Sequence, residues 1–278
     1  MNFNEFIIEN YNTLGMKKCV ELLNTTKGKV QTIVTKNNLK VDKKSLNKIL
    51  SDSNLKTGDE CNVSIFNFTE NINKYSVYLL GLLWADGYIS KNTKNTKQKY
   101  NINIECLNKD MEFFKTILDK IGKWNYYTRK RGEWQTITRA NTCNKELIEY
   151  LSKHDYNNKS VVSPSSIIKT IPNNLLKYFL LGVIDGDGCF YFNKKHFLRQ
   201  FSICGSLNQD WTAFEKIFIE LGIVYKINRS PNKKGGSSLI RILNKNNIKK
   251  LGDYLYNTIS EDKIGLPRKY AKYLEIID

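Results

Sequence analysis

Two stretches of this chain say nearly the same thing. Leu79-Leu80-Gly81-Leu82-Leu83-Trp84-Ala85-Asp86-Gly87 returns as Leu180-Leu181-Gly182-Val183-Ile184-Asp185-Gly186-Asp187-Gly188, with the carboxylates Asp86 and Asp187 101 residues apart. Each is an apolar run that ends in an acid followed by glycine. Each run is apolar on more than one side, which predicts a buried helix. Each carries small residues four apart, Gly81 and Ala85 in one copy and Gly182 and Gly186 in the other. Helices with such positions can pack with their backbones nearly touching. The repeat therefore predicts two packed helices with Asp86 and Asp187 together at their feet.

The flanking pattern repeats as well. Lys74–Asp86 reads as a helix, Gly87–Lys91 and Lys99–Cys106 as strands, and Asn108–Ile121 as a helix. Trp124–Lys130 and Trp134–Ala140 follow as a hairpin, and Asn144–Leu151 as a helix. The second copy keeps this order: helix Asn174–Gly186, strands Cys189–Lys194 and Phe197–Gly205, helix Asn208–Leu221, hairpin Val224–Arg229 and Ser238–Leu243, helix Lys245–Tyr256. Leu107-Asn108-Lys109-Asp110 answers Leu207-Asn208-Gln209-Asp210, and a last helix spans Arg268–Ile277. The expected fold class is α+β: two αββαββα modules related by a pseudo-twofold axis, at 73–160 and 173–278, joined by a connector at 161–172.

Residues 1–40 are read as a small all-α, helix-turn-helix-like domain. Phe3, Phe6, Ile7 and Tyr11 share one helix face; Met16, Val20 and Leu23 follow Gly15; Thr25 or Thr26 caps a third helix with Val30, Ile33 and Val34. That third helix carries Lys27 and Gln31 on its polar side, as a groove-reading helix needs. Any small three-helix bundle has a similar outline. Residues 41–72 are a polar linker, with a short helix near Lys44–Leu50 and a strand at Val63–Phe68 as local expectations.

The net charge of +17 draws polyanions, nucleic acid first. The excess sits in the two repeated segments. Six cysteines without Cys-x-x-Cys spacing and the absence of a secretion signal point to a reducing compartment, cytoplasmic, nucleoid-associated or organellar, and not to secretion. Apolar runs are too short to span a bilayer. With two histidines only, hydrolases built on several histidines are excluded.

A helix C-terminus already concentrates negative charge, so two acids there need a cation, and carboxylate oxygens suit a hard divalent metal. Asp-Gly after an apolar helix is also a common helix stop; its presence at equivalent places of a repeat in a basic chain argues for chemistry. On the sheets, alternation places Lys99, Asn101, Asn103 and Glu105 in one copy, and Gln200 and Ser202 in the other, on the face away from the helices. With the arginines Arg129, Arg139, Arg229 and Arg241 of the strands, these are candidates to read base edges and phosphates of double-stranded DNA. An ordinary solvated sheet face has the same pattern.

These paired stretches resemble the signature of the LAGLIDADG homing endonucleases in their single-chain, two-motif form. The resemblance covers roughly 73–278, and departs from the pattern where Trp84 replaces the acid at the sixth place of the first copy. It implies a site-specific DNA endonuclease, a monomer with internal symmetry, that cuts both strands across the minor groove and leaves 3′ overhangs. Asp86 and Asp187, with the carbonyls of Ala85 and Gly186, would hold Mg²⁺ or Mn²⁺, with Ca²⁺ a non-cleaving substitute. Two sheets would form a saddle over the DNA. A basic residue belongs near each metal. Lys159 matches in the first copy; Lys263, or the Arg268-Lys269 pair, are the candidates in the second. The alternatives are an RNA-binding intron maturase and a catalytically silent DNA-binding regulator.

Overall fold

The computed structural model describes residues 2–40, 72–91, 100–132, 135–232 and 235–278. The chain divides into two compact units, Met1–Val63 and Ser64–Asp278. The expectations for Lys99 and for local structure within 41–71 lie outside the described residues.

The first unit contains α1 (Phe3–Leu22) and α2 (Lys27–Lys36). α1 is broken at Gly15, whose φ of 70° and ψ of 176° are not helical, so the expected turn between two helices is present. Asn2 and Glu5 close a capping box at the start. Ile7, Tyr11, Cys19, Val30 and Val34 form the unit's core. Thr26 caps α2 by backbone position alone, without a side-chain hydrogen bond.

The second unit is α+β and holds the two modules. The first contains α3 (Lys74–Asp86), β1 (Gly87–Lys91), β2 (Tyr100–Leu107), α4 (Asn108–Leu118), β3 (Asn125–Arg131), β4 (Gln135–Thr142) and α5 (Lys145–Lys153). A short α6 (Ser165–Ile168) lies in the connection. The second contains α7 (Leu176–Asp187), β5 (Gly188–Asn193), β6 (Leu198–Ser206), α8 (Thr212–Glu220), β7 (Lys226–Ser230), β8 (Ser237–Ile242) and α9 (Lys245–Tyr256), followed by α10 (Ile259–Asp262) and α11 (Pro267–Ile277). Both sheets are four-stranded and antiparallel with the same order, β1-β2-β4-β3 and β5-β6-β8-β7.

α8 starts at Thr212 and not near Asn208 because the preceding residues are used elsewhere. Asp210 accepts from the Thr212 backbone and hydroxyl, and the Asp210 amide donates to Val161 O at 3.1 Å. Asn73 caps α3 with a capping box through Ser76. Asn144 and Asn244 cap α5 and α9 at equivalent places. The core runs continuously through both modules, with α3 and α7 buried at its centre. Among the described residues no helix is long and apolar enough to cross a membrane.

Candidate active site

The contact between α3 and α7 decides where the acids sit. A Cβ on Gly81 would lie 2.0 Å from Phe179 O, and one on Gly182 2.2 Å from Tyr78 O. Backbone therefore packs on backbone, as the small residues predicted. At the foot, a Cβ on Gly186 would meet the Ala85 methyl at 2.4 Å and Asp86 Oδ2 at 3.2 Å. Gly186 directly precedes Asp187, so the two acids end neighbouring helices at one level. The chain leaves each helix through an extended glycine, Gly87 or Gly188, into the first strand of its sheet.

Both acids are half-buried. Burial pushes the Asp187 carboxyl up to about 6, the negative charge of Asp86 adds to the rise, and Lys159 and Lys269 oppose it. Burial also raises Asp86, against the pull of Lys269 and then Lys159. The pairing is crossed: Asp86 feels the lysine of the second module most, and Asp187 that of the first.

The two lysines occupy corresponding places. Lys159 Nζ donates to Leu83 O, Trp84 O and Ala85 O at 3.0, 2.7 and 2.7 Å. Lys269 Nζ donates to Ile184 O, Asp185 O, Gly186 O and Gly188 O at 2.6, 2.7, 3.2 and 2.8 Å. Each ammonium thus caps the orphan carbonyls at the end of a helix that also carries an acid. Burial lowers both, Lys159 to about 8, while the nearby carboxylates hold them up. Lys263, by contrast, is exposed at the C-cap of α10 with φ of 52°. The structure places Lys269 and not Lys263 at the second helix foot. The reason is tertiary: α11 packs along β5 and turns Lys269 inward, which the sequence spacing does not encode.

Trp84 and Asp185, at the sixth place of each copy, do not face one another. Asp185 Oδ2 accepts from Tyr78 Oη at 2.6 Å and from the Leu266 amide at 2.8 Å. Trp84 instead stands edge-on to Tyr156, ring centroids 6.2 Å apart. A cavity of about 300 Å³ opens beside Asp187, Lys159, Ala85, Cys204 and Gln209.

The donor set fits a hard divalent cation held in an open site. Two carboxylates are brought together, and the carbonyls of Ala85 and Gly186 each keep a second lone pair beside the lysine hydrogen bond. Among the described residues no three His, Cys, Asp or Glu side chains gather into a closed cage. Water and phosphate oxygens would complete the coordination.

The strand registers sort the other candidates. In the first sheet Tyr88 pairs with Asn103, Asn103 with Asn141, Glu105 with Arg139, and Tyr127 with Arg139, so these share the face opposite to buried Ile102 and Ile104. Glu105 is clamped by Arg129 at 2.9 Å and Arg139 at 2.9 Å. Burial works against its charge, yet the two arginines hold it below the usual carboxylate range. Asn103 is buried and gives its amide to Ser90 Oγ, Tyr88 O and Asn101 O. It organises the face and is not displayed on it.

In the second sheet Tyr191 pairs with Gln200, and Ser202 with Arg241, on one face. Arg241 donates to Gln200 Oε1 and Asn228 Oδ1, and its buried Nε has no partner among the described residues. Arg229 falls on the opposite alternation, in register with fully buried Ser238, and donates to Leu207 O and Gln209 O. Arg229, a candidate DNA contact from the sequence, thus lies off the face that carries Arg241. The sequence offered Lys269 beside Lys263 and Arg268 without choosing among them, and passed over the exposed tyrosines Tyr88, Tyr127 and Tyr191; the alternation phase of β1, β3 and β5 carried the signal for the tyrosines. In the first unit Lys27 and Gln31 are exposed on α2.

No family model matches the chain, and no curated protein matches it. Among solved structures it is similar to the homing endonuclease I-WcaI bound to its DNA recognition sequence, at 20% identity over 80% of this chain and 96% of that one, TM-score 0.49. It is also similar to the I-LtrWI LAGLIDADG homing endonuclease bound to target DNA, at 15% identity over 73% and 96%, TM-score 0.40. A third is I-DmoI in complex with DNA and Mn, at 19% identity over 66% and 96%, TM-score 0.43.

Proposed function

We propose that the second unit is a site-specific, divalent-metal-dependent DNA endonuclease of the LAGLIDADG type, acting as a monomer on double-stranded DNA. One observation carries the reading: two acids, Asp86 and Asp187, are forced together at the feet of two helices packed backbone to backbone, each foot capped by a lysine. Stability alone does not call for this. Two raised carboxylates at negative helix ends oppose folding, and the lysines offset only part of the charge.

In this mechanism the sheet faces with Arg139, Arg129, Tyr127 and Glu105, and with Arg241, Gln200 and Tyr191, lie as a saddle along the major groove. Their strands fix the register of the duplex. Asp86 and Asp187 would face the minor groove between the two scissile phosphates, where their carboxylates would hold the cation. When bound, Mg²⁺ or Mn²⁺ supplies charge neutralisation and a water of lowered pKa. Lys159 and Lys269 are positioned to add positive charge where the phosphoryl oxygens gain negative charge. Hydrolysis of one phosphodiester per strand leaves short 3′ overhangs. α2 of the first unit, with Lys27 and Gln31 outward and no acid in it, adds a second DNA contact.

The test is cleavage of a randomised duplex library with and without Mg²⁺. Wild type is expected to yield linear products of one sequence class, and Asp86→Asn and Asp187→Asn each to lose double-strand cutting while retaining DNA binding. Full double-strand activity in both variants would refute the site. Binding that ignores salt would refute the saddle, since phosphate neutralisation releases counterions. The intact acid pair favours this reading over a maturase or a silent regulator.

A further inference from the structure

The modules match at the acids and the lysines, but not one residue before the lysine. Lys159 and Lys269 cap corresponding carbonyls, so Asn158 and Arg268 occupy the same place in the repeat. Asn158 is exposed and its carbonyl closes a turn with the amides of Val161 and Val162. Arg268 instead reaches across into the first module. Its Nε donates to Asp110 Oδ1 and its Nη2 to Asp110 Oδ2, both at 2.7 Å. The fork is bidentate and Asp110 is only 7% exposed, while the Arg268 side chain stays 49% exposed. Asp210, the repeat partner of Asp110, is spent on Thr212 and meets no arginine among the described residues.

The pair ties the tail of the second module to α4 of the first, the module that carries Asp86. The Asp86 carboxyl feels the charges of both Asp110 and Arg268, and the Cys106 thiol beside it does too. The charges acting on Asp187 are those of Asp86, Lys159 and Lys269. On the Asp187 side the tail of the first module, at Lys159 and Ser160, lines an open cavity with Asp187, Ser206 and Gln209, and among the described residues no arginine lines it.

We propose that Arg268, locked by Asp110, is a phosphate-holding residue of the Asp86 half-site alone, so that the two strands of the duplex are cut by unequal sites. The proposal rests on the endonuclease reading. Its chemistry is that of a guanidinium with two donors fixed by a carboxylate and the rest of its fork free for phosphate oxygens. The lock removes the rotamer cost of holding the charge in place. In the opposite half-site, Lys159 is the basic residue that lines the cavity at Asp187 among the described residues.

The experiment follows both strands of a cleavable duplex, labelled with different dyes, in single-turnover reactions with Mg²⁺. Wild type, Arg268→Asn, Arg268→Lys and Asp110→Asn are compared, with folding followed by circular dichroism and affinity by gel shift. Arg268→Asn is expected to slow one strand about 100-fold, the scale of a lost transition-state donor, leaving the other strand within a few-fold and accumulating a singly nicked duplex. Asp110→Asn is expected to bias the same strand less strongly. Arg268→Lys keeps the charge, loses the fork and should fall between. A pair that merely clasps the modules would slow both strands together, so equal slowing, or none, overturns the proposal. Should Arg268→Asn fail to fold, Asp110→Asn decides by the same strand ratio. A wild type that never cuts overturns the endonuclease reading and this inference with it; a cutting wild type with strand-neutral variants overturns this inference alone.

Discussion

Asp262 shows how much one side chain can tie together. It lies at the end of α10 and receives Lys74 Nζ at 2.7 Å, from the first turn of α3, as well as the hydroxyls of Tyr178 and Thr258. Burial would raise its carboxyl, but the hydrogen bonds from Lys74, Thr258 and Tyr178 hold it down at about 2. A carboxyl depressed below its unfolded value stabilises the fold above that value and stops doing so as pH falls through the folded one. Asp262→Asn is therefore expected to lose about 1–3 kcal/mol near neutral pH. The gap to wild type in urea melts should close between about pH 4 and pH 2. A gap that stays constant down to pH 2 would show that the cluster does not hold Asp262 ionised. Asp185 is the contrasting case. It is fully buried, is pushed up to about 6 by that burial, and keeps Oδ1 without a partner among the described residues. Its place in the motif is the one where the first copy has Trp84, and its partners, Tyr78 and the Leu266 amide, come from the other helix and from the lead-in to α11. Motif comparison shows that the two positions differ; it does not show that each turns to its own neighbour.

At the scale of elements, the close approach of α3 and α7 makes a direct prediction. Alanine normally improves a helix over glycine. Gly81→Ala and Gly182→Ala should do the reverse, since each methyl would press on a backbone carbonyl of the opposing helix that cannot swing away. The expected loss is about 3 kcal/mol or more, at or beyond the upper end of ordinary overpacking. Gly28→Ala in α2, with nothing within 4 Å of the added methyl, should be neutral or stabilising by about 0.4–1 kcal/mol. Thermal melts of the three variants test both statements, and a stabilised Gly81→Ala would mean the helices do not touch there. This contact was readable beforehand because small residues four apart in two apolar helices leave few other packings. The order of strands and helices was readable for a related reason: alternation in β2 and β6 and helical spacing in α4 and α8 each repeat, and one copy corroborates the other. Lys269 was not singled out, because the choice among Lys263, Arg268 and Lys269 depends on how α11 docks. Asn103 and Arg229 show the same limit. Alternation assigns a face, but register and neighbours decide whether a side chain on it is free, as Tyr127 is, or spent, as Asn103 is.

For the whole second unit, the chain crosses over twice. The segment after Lys159 lies against the second module, where Gln209 Nε2 donates to Val162 O at 2.8 Å, the Asp210 amide to Val161 O, and the Ala213 amide to Ser163 Oγ at 3.1 Å. The first turn of α11 makes the reverse contact, through Arg268 and Asp110. Each module's tail is therefore held by the other module, at the same place in the repeat where each lysine reaches its helix foot. Each lysine caps the helix foot of its own module, while the tail that carries it is also held by the other module. This links site assembly to a single cooperative transition, although the fold is built of two similar halves. The first unit has its own core in Ile7, Tyr11, Val30 and Val34, so it should melt independently. Calorimetry of the full chain is expected to show two transitions: a small one from the first unit and a large one in which both modules unfold together. Trp84 and Trp124 sit in the first module and Trp211 in the second. The chain's fourth tryptophan, Trp134, also falls within the first module's span. In the large transition, the fluorescence of Trp211→Phe, reporting the first module, should follow the same curve as that of a Trp84→Phe, Trp124→Phe, Trp134→Phe triple variant, corrected for each variant's own midpoint. Halves that unfold in separate steps would mean that the crossed tails are ornamental, and that each foot, with its lysine, forms without the other. The active site would then be two sites placed side by side and not one assembled across the helix pair.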